Sequence, residues 1–547
     1  MKRISIYIGL CMMLICTCLP AFAGPEAEFR KLEKHYTLRA DGSQELRVRK
    51  ELTLYTHAAM NGLYGETFIT YDPAFQELQI HQSYTQQKDG TIVKTPDNAF
   101  VEVLPSVAAD APAYNRLKEM VVVHTGLELG ATIYLDYSII SKPGYLPALD
   151  VCCPVRELSP IKEFICTIET EKSPLLHYEL LNYDAPAKRM DTRNNRQCVQ
   201  WTLRNVSPRP YNYPTQHDRL SLIQEAASGM QPVIVATTHT SYAEALKTLR
   251  AQFVPGDEAV IKEKVTELAV GAEGDKQKLR DAIGQYMMYR YSRLGNISLK
   301  LADTGYRLRP ASEVLRSGYG TTAELVNLDV CLQRAAGLEA DIVICALRAS
   351  KTDNVGLSGI VSVFARSGNM AMRVPLSGTA EADLQEYMTI TDLSGNSVEL
   401  ENKWNEHART YYTIEADDKR IRTLEGGIRL VKAEGKDMAL ILSDNYAKNT
   451  EIDAPVLLPM KYDHTCVTTV KLPEGMTWVR KSDREIVNAC GKVVFTYEQA
   501  ENAIKVTCRL VVNQQLLTPS SYPDFYALMR EWKDENNYLL LFTPEAI

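Results

Sequence analysis

From about residue 28 to residue 230, apolar and polar positions alternate with a period of two. Val48, Leu52 and Leu54 alternate with charged neighbours across 47–55, and Ile133, Leu135, Tyr137 and Ile139 alternate with Tyr134, Asp136 and Ser138. Side chains on a strand point to opposite faces in turn, so this pattern predicts half-buried strands. Lys88-Asp89-Gly90 is a hairpin turn signal between 78–84 and 91–94, and Val199, Trp201 and Leu203 close the series. Many short strands separated by turn residues predict a β-sandwich.

The period changes at about residue 240. Segments 242–253, 258–270 and 275–291 read as helices; in the last, Leu279, Ile283, Tyr286 and Met287 share one face at helical spacing, a stripe expected in a core. A turn at Ser317-Gly318-Tyr319-Gly320 precedes a helix with Leu325, Leu328, Leu332 and Ala335 on one face, which Gly337 ends. Apolar strands are predicted over 340–347, 359–365 and 370–376, with a turn at 367–369. Strand-like patterning returns after about 390, over 467–472, 493–497 and 504–512. A helix over 522–535, with Phe525, Leu528, Met529 and Trp532 on one face, and a strand over 538–542 follow. The chain has no internal repeat and no low-complexity tract.

Composition narrows the class. The 547 residues are 45% hydrophobic and 24% charged, which excludes disorder, collagen-like repeats or coiled coil as a description of the whole chain. At about 100–200 residues per domain, three to five units are expected. The 61 Lys and Arg against 68 Asp and Glu give a net charge of −7 without a basic block. Nucleic acid is therefore excluded as the expected partner, because binding it needs a concentrated positive face.

The first 23 residues read as an export signal: Lys2 and Arg3, an apolar run over 4–19, then Ala21-Phe22-Ala23 at the cleavage position. Pro20 closes the run short of the length a spanning helix needs, and no later segment is apolar for long enough to span a bilayer. The expected mature protein is periplasmic or secreted, without a transmembrane segment. It would carry 59 basic against 68 acidic residues, a charge of −9. Nine Cys remain after position 23: Cys152, Cys153, Cys166, Cys198, Cys331, Cys345, Cys466, Cys490 and Cys508. With no C-x-x-C pair and no His at metal-ligand spacing, neither zinc nor any cofactor is implied. Disulfides are open to an exported chain, while the apolar context of Cys166 and Cys345 suits buried thiols.

The residues from Pro310 to Pro375 resemble the core of the transglutaminase-like, papain-related superfamily. The resemblance rests on Arg309-Pro310-Ala311-Ser312-Glu313-Val314-Leu315, the Gly320 turn, the helix from Leu325 to Gly337 and the strand after it. With Leu472-Pro473-Glu474-Gly475 and Tyr522-Pro523-Asp524-Phe525-Tyr526, the whole chain is similar to exported bacterial three-part proteins. It implies a multidomain fold: a β-sandwich over 24–235, an α+β transglutaminase-like core over 236–390, then a β-rich C-terminal domain over 391–547.

Active relatives place a Cys at the start of the core helix, where unpaired N–H groups and the helix dipole favour the thiolate. A His on the next strand accepts the proton and an Asp on the strand after orients it. Carried onto this sequence, the Cys position falls on Thr322, the His position on Gly359 and the Asp position on Val374. All three are replaced. Independently of alignment, no His lies between residues 240 and 406. Thr321-Thr322-Ala323-Glu324 instead fits a helix capping box.

The expected function is therefore that of an exported, catalytically inactive transglutaminase-like protein. It would act as a scaffold or binding module in the cell envelope, with an envelope protein or a glycan as partner. Two alternatives stay open. One is an active cysteine-type acyltransferase or protease with relocated residues, its base being His239 or His407 at the borders of the core. The other is a carbohydrate-binding or adhesion β-sandwich protein.

Overall fold

The computed structural model describes residues 25–171, 175–190, 196–209, 231–291, 295–367, 370–372, 388–399, 408–433, 447, 450–452, 456–458, 461–514 and 516–544. Its first unit is built on an eight-stranded sheet. In spatial order the strands are Lys188–Met190, Gln197–Val206, Ile161–Thr170, Ala27–Leu38, Gln44–Leu54, Thr132–Ser141, Gln76–Gln86 and Ile92–Lys94. Neighbours are antiparallel except Ala27–Leu38 with Ile161–Thr170, which run parallel. The register sets Val48 beside Tyr137 and Leu52 beside Ile133 on one face, and Arg49 beside Asp136 on the other. The alternation in the sequence is thus the two-sidedness of this sheet. On the polar face Asp136 accepts hydrogen bonds from Arg47 Nε and Nη2 at 2.8 and 2.7 Å and from Arg49 Nε at 3.0 Å. The expected hairpin joins Gln76–Gln86 to Ile92–Lys94, and Gly90 at its turn has φ +92°.

Two three-stranded sheets cover the apolar face. One contains Glu66–Tyr71, Lys118–Val123 and Phe100–Val103, and buries Ile69 and Val122 against Leu135. The other contains His177–Leu181, Val233–Thr237 and Asp150–Pro154. Its central strand, Val233–Thr237, is buried on both faces. Ile234 and Ala236 join Phe164, Cys166 and Leu52 inside the sandwich, while Val233 and Val235 join Val343, Cys345, Phe364 and Ile390 of the next unit. The domain boundary expected between residues 235 and 236 falls inside this strand.

The second unit begins with helices α1 (Tyr242–Arg250), α2 (Glu258–Ala269) and α3 (Lys276–Tyr291), followed by α4 (Ala311–Ser317) and α5 (Thr322–Ala335). Their positions match the helical spacing in the sequence, and Ile283 and Met287 of α3 are core residues as expected. A four-stranded antiparallel sheet follows, ordered Met370–Met372, Ile360–Ser367, Asp341–Leu347 and Met388–Asp392. The strand expected over 370–376 is described only to residue 372.

Helix α5 departs from the one-sided pattern of its leucines: every residue from Ala323 to Gln333 is buried. The sheet covers one side, and α2, α3 and α4 cover the others. Its polar residues are therefore sealed in. Asn327 Nδ2 donates to the Val254 carbonyl at 3.0 Å, and Gln333 Nε2 donates to Asp329 Oδ2 at 3.0 Å. Burial pushes the Asp329 carboxyl up to about 6.

The last unit is a second two-sheet β structure. Strands Ala408–Ile414, Tyr462–Lys471, Ala503–Val512, Gly491–Ala500 and Arg484–Asn488 form one sheet; Arg422–Thr423, Arg429–Lys432, Leu539–Pro544 and Met476–Trp478 form the other. Helix α6 (Tyr522–Trp532) packs Phe525, Leu528, Met529 and Trp532 into their shared core, the face expected from the sequence. The molecule is thus multidomain and predominantly β, with helices concentrated in the middle.

Because Ile234 fills the sandwich without exposed surface, Ile234→Ala should destabilise the first two units, which share this strand, by about 2–5 kcal/mol. Urea unfolding followed by Trp201 fluorescence measures it; a loss well under 1 kcal/mol would contradict the packing described.

Candidate functional site

The start of α5 is set by a capping box. Thr321 Oγ1 accepts from the Glu324 N–H at 3.4 Å, and Glu324 Oε2 accepts from the Thr321 N–H at 3.0 Å. Glu324 is also the acceptor for Arg309, whose backbone N–H, Nε and Nη2 reach its carboxylate at 2.9, 3.1 and 2.9 Å. The Arg309 guanidinium lies over the rings of Tyr319 and Tyr114, 4.7 and 5.4 Å from their centroids. Gly320 has no space for a side chain, since a Cβ would lie 2.9 Å from Val314 Cγ1 and 3.2 Å from Glu324 Oε2.

Tyr114 belongs to the first unit. Its segment buries Ala108, Ala111, Tyr114 and Leu117 against Ile297 and Leu299, and the Ala113 N–H donates to the Tyr319 hydroxyl at 2.8 Å. Residues Asn296–Ile297 pair in parallel with Gly320–Thr321. The first unit therefore covers the strand pair that leads into α5.

Of the three positions assigned to a triad, Thr322 is half-buried at the first turn of α5. Its Oγ1 donates to Asn296 Oδ1 at 3.4 Å, an amide that cannot act as a base at neutral pH. Gly359 is a backbone junction. Its N–H donates to the Val355 carbonyl at 3.3 Å and its carbonyl accepts from the Leu347 N–H at 2.9 Å. A Cβ here would come within 2.7 Å of Val355 Cβ and Cγ2, so no imidazole fits without moving the loop. Val374 lies outside the described residues, as does His407. Cys331 is buried two and a half turns into α5; burial pushes its thiol up to about 11, and it donates to Asn327 Oδ1 at 3.5 Å. Cys345 is fully buried in its strand.

The structure brings His239 to a different set of partners, which the sequence did not reveal. His239 Nδ1 lies 2.8 Å from Glu244 Oε2, and its Nε2 lies 3.8 Å from Asp150 Oδ2. Asp150 accepts from the Leu357 N–H at 2.7 Å and from Ser358 Oγ at 2.8 Å, and Asn354 Nδ2 donates to the His239 carbonyl at 2.7 Å. Gly356 has φ +61° and faces the Asp150 carboxylate so closely that a Cβ would collide with it. Glu179, on the same three-stranded sheet, accepts from the Ser350 N–H and Oγ at 3.1 and 2.7 Å, the Lys351 N–H at 2.7 Å and the Thr352 N–H at 2.9 Å. Two buried carboxylates of the first unit thus hold both ends of the loop that leads to Gly359.

Burial acts on these two acids in opposition to their hydrogen bonds. For Asp150 burial dominates, and the carboxyl is pushed up to about 6 against the bond from Ser358 and the neighbouring imidazole. For Glu179 the bonds from Ser350, Lys351 and Thr352 overcome burial and hold it below the usual range. A cavity of about 170 Å³ adjoins Asp150, lined by Tyr36, Gln44, Leu46, Ser141 and Leu149 among others. Among the described residues, no cluster of three His, Cys, Asp or Glu side chains could hold a metal ion, and no helix is long and apolar enough to cross a membrane.

Comparison with known proteins places the chain in a family. Two models match, each a domain of unknown function with solved structure: DUF3857 over residues 40–210 and DUF3858 over 437–542. The crystal structure of a "putative protease" from Parabacteroides distasonis is 37% identical, covering 94% of this chain and 99% of its own, with a TM-score of 0.78. The chain belongs to the same family, a multidomain family of unknown function. Aminopeptidase A of Legionella pneumophila is 7% identical over 44% of this chain and 28% of its own, with a TM-score of 0.22. An M1 zinc metallopeptidase of Deinococcus radiodurans is 9% identical over 39% and 42%, with a TM-score of 0.19. Likeness at that level carries no argument about fold or chemistry. No curated protein matches the chain.

Two outcomes follow from the carboxylate clamp. Glu179→Ala should leave four donors without their acceptor, the Thr352 N–H among them on a buried residue, costing about 1–3 kcal/mol in the docking of loop 350–358, and hydrogen exchange at Lys351 and Thr352 should accelerate. Asp150 holds its proton to higher pH when folded than when unfolded. Its contribution should therefore be most favourable below about pH 4 and fall by up to about 3 kcal/mol as pH rises through 6. Urea midpoints between pH 4 and 7 test this: the slope should be shallower in Asp150→Asn than in the parent.

Proposed function

We propose that this chain is an exported, catalytically silent protein with a transglutaminase-like core over 236–390, retained as a scaffold or binding module that engages a protein or glycan of the cell envelope. The observation that carries this reading is Thr322 at the first turn of α5, hydrogen-bonded to an amide oxygen, in a core whose sequence has no His from 240 to 406. A hydroxyl needs an adjacent base to become a nucleophile, and general-base catalysis contributes typically about 10²–10⁴-fold. Supporting it, Gly359 leaves no room for an imidazole, and Cys331 is buried with its thiol pushed up rather than activated. The residues that frame the site serve packing instead: Glu324 and Arg309 are bound to each other, and Tyr114 covers them. In this reading the signal segment is cut after Ala23 and the protein works outside the cytoplasm.

A second reading, a cysteine-type peptidase or acyltransferase with relocated residues, draws on the name carried by the Parabacteroides relative. It would have to recruit His239, which is 5% exposed and engaged by Glu244.

The test is to incubate the purified mature chain with peptide and glutamine-donor substrates and with thiol-directed acyl probes. No turnover is expected, and Thr322→Ala should behave as the parent does. Thr321→Ala, which removes the cap, should lower stability by about 1 kcal/mol, and Thr322→Ala by less. Turnover that disappears in Thr322→Ala would overturn the reading. Turnover that survives Thr322→Ala but stops with a thiol reagent would transfer the assignment to Cys331 or Cys345.

A further inference from the structure

One position on the dry face of the eight-stranded sheet breaks its pattern. Lys50 lies two residues from Val48 and two from Leu52, so strand alternation turns its side chain inward with theirs. Its register partners are Leu32 on one side and Leu135 on the other, both buried. The covering sheet brings Thr67, two residues before the buried Ile69, and His124, two residues after the buried Val122. The His124 N–H donates to the Gly65 carbonyl at 2.9 Å, which fixes this end of the sheet beside Thr67.

The polar contacts in this corner run through one oxygen. Lys50 Nζ donates to Thr67 Oγ1, and Thr67 Oγ1 lies 2.8 Å from His124 Nε2. With the ammonium donating into that oxygen, the hydroxyl directs its own hydrogen to Nε2, and the neutral ring carries its proton on Nδ1. His124 is 5% exposed, and its Nδ1 is buried without a hydrogen-bond partner among the described residues. Lys50 forms no ion pair among the described residues. The carboxylate of Glu157 is bonded instead to Lys34 Nζ, at 3.3 Å. A hydroxyl answers one of three ammonium donors and none of the charge, and burial pushes the Lys50 amine down to about 8 against the attraction of Glu157. Lys50 and Thr67 are each half-buried, so the corner is open to solvent.

We propose that this corner of the first unit binds the carboxylate of a small aliphatic acid, received by the Lys50 ammonium with Thr67 orienting it. An ionised carboxylate only accepts hydrogen bonds, so it satisfies the remaining ammonium donors without adding a donor of its own. One ammonium matches one negative charge, whereas a phosphate dianion would leave charge uncompensated in the same place. Leucines on both sides suit a hydrocarbon body. A cation on an apolar strand face costs stability, and such local violations are expected where a site needs them. The proposal goes beyond the reading of the core as a scaffold and does not depend on whether the α5 site is silent.

The experiment melts the full chain at neutral pH in increasing sodium butyrate, with sodium chloride at equal ionic strength and uncharged butyramide as controls. Butyrate should raise the thermal midpoint by about 2 °C or more and saturate, whereas chloride and butyramide should not. Lys50→Met, which sets an apolar side chain among the leucines, should melt above the parent without butyrate and lose the response to it. Thr67→Val should keep the response at a several-fold higher half-saturating concentration. The proposal is overturned by a parent that shows no saturating rise, by an equal rise with chloride or butyramide, or by a response retained in Lys50→Met. A Lys50→Met chain that melts below the parent would also overturn it, by making Lys50 a structural residue, and so would a Thr67→Val chain that titrates as the parent does.

Discussion

Asp150 and Glu179 sit on the same three-stranded sheet of the first unit, and between them they accept six hydrogen bonds from residues 350–358 of the second. Four of the donors are backbone N–H groups in a loop that has no ladder of its own to satisfy them. Two of them, on Thr352 and Leu357, belong to buried residues, and a buried backbone donor without a partner costs as much as a lost hydrogen bond, so the two carboxylates favour this shape of the loop. Gly356 completes the arrangement, since any side chain there would displace Asp150. The loop in turn fixes Gly359 and the strand Ile360–Ser367, which packs on α5. The path from the first unit to the centre of the second thus runs through two acids.

The apolar half of the same contact is the strand Val233–Thr237. Its alternate residues feed two cores, so the first two units share a layer rather than meeting across a wet surface. The segment around Tyr114 adds a second contact at the start of α5, where it stacks on Arg309. Substitutions in the first unit would therefore be felt in the second, and neither unit is expected to behave as an isolated domain on unfolding.

At α5 itself, the groups that could have served chemistry are satisfied by neighbours. Glu324 neutralises Arg309 and caps the helix, Thr322 is bonded to Asn296, and Cys331 is bonded to Asn327. Asp329 is the exception. One of its oxygens is buried without a partner, and burial pushes its carboxyl up to about 6, so the side chain is mainly protonated only below that pH. A helix start whose polar groups are all committed has the economy of a structural element, and the reading of the core as a scaffold rests on that.

Much of the architecture is legible in the residue pattern. The period-two alternation around Val48–Leu54 and Ile133–Ile139 identified strands because each has one wet and one dry face. The helical spacing of Ile283 and Met287 located α3, and the capping box Thr321–Glu324 marked where α5 begins. These are local signals, carried by residues a few positions apart. The residues over 145–180 and 231–240 offered no comparable signal for the clamp: Asp150, Glu179 and His239 are far apart in the chain, and an acid at a strand end looks solvated until the opposing loop arrives. The same limit explains α5, whose leucine stripe suggested one buried face although packing buried the whole circumference, Asn327 and Asp329 included. The sequence alone determined the elements, their order and the lack of an imidazole between residues 240 and 406. The tertiary structure decided which of those elements would be covered on a second side, because burial of a second face depends on a partner that local periodicity does not encode.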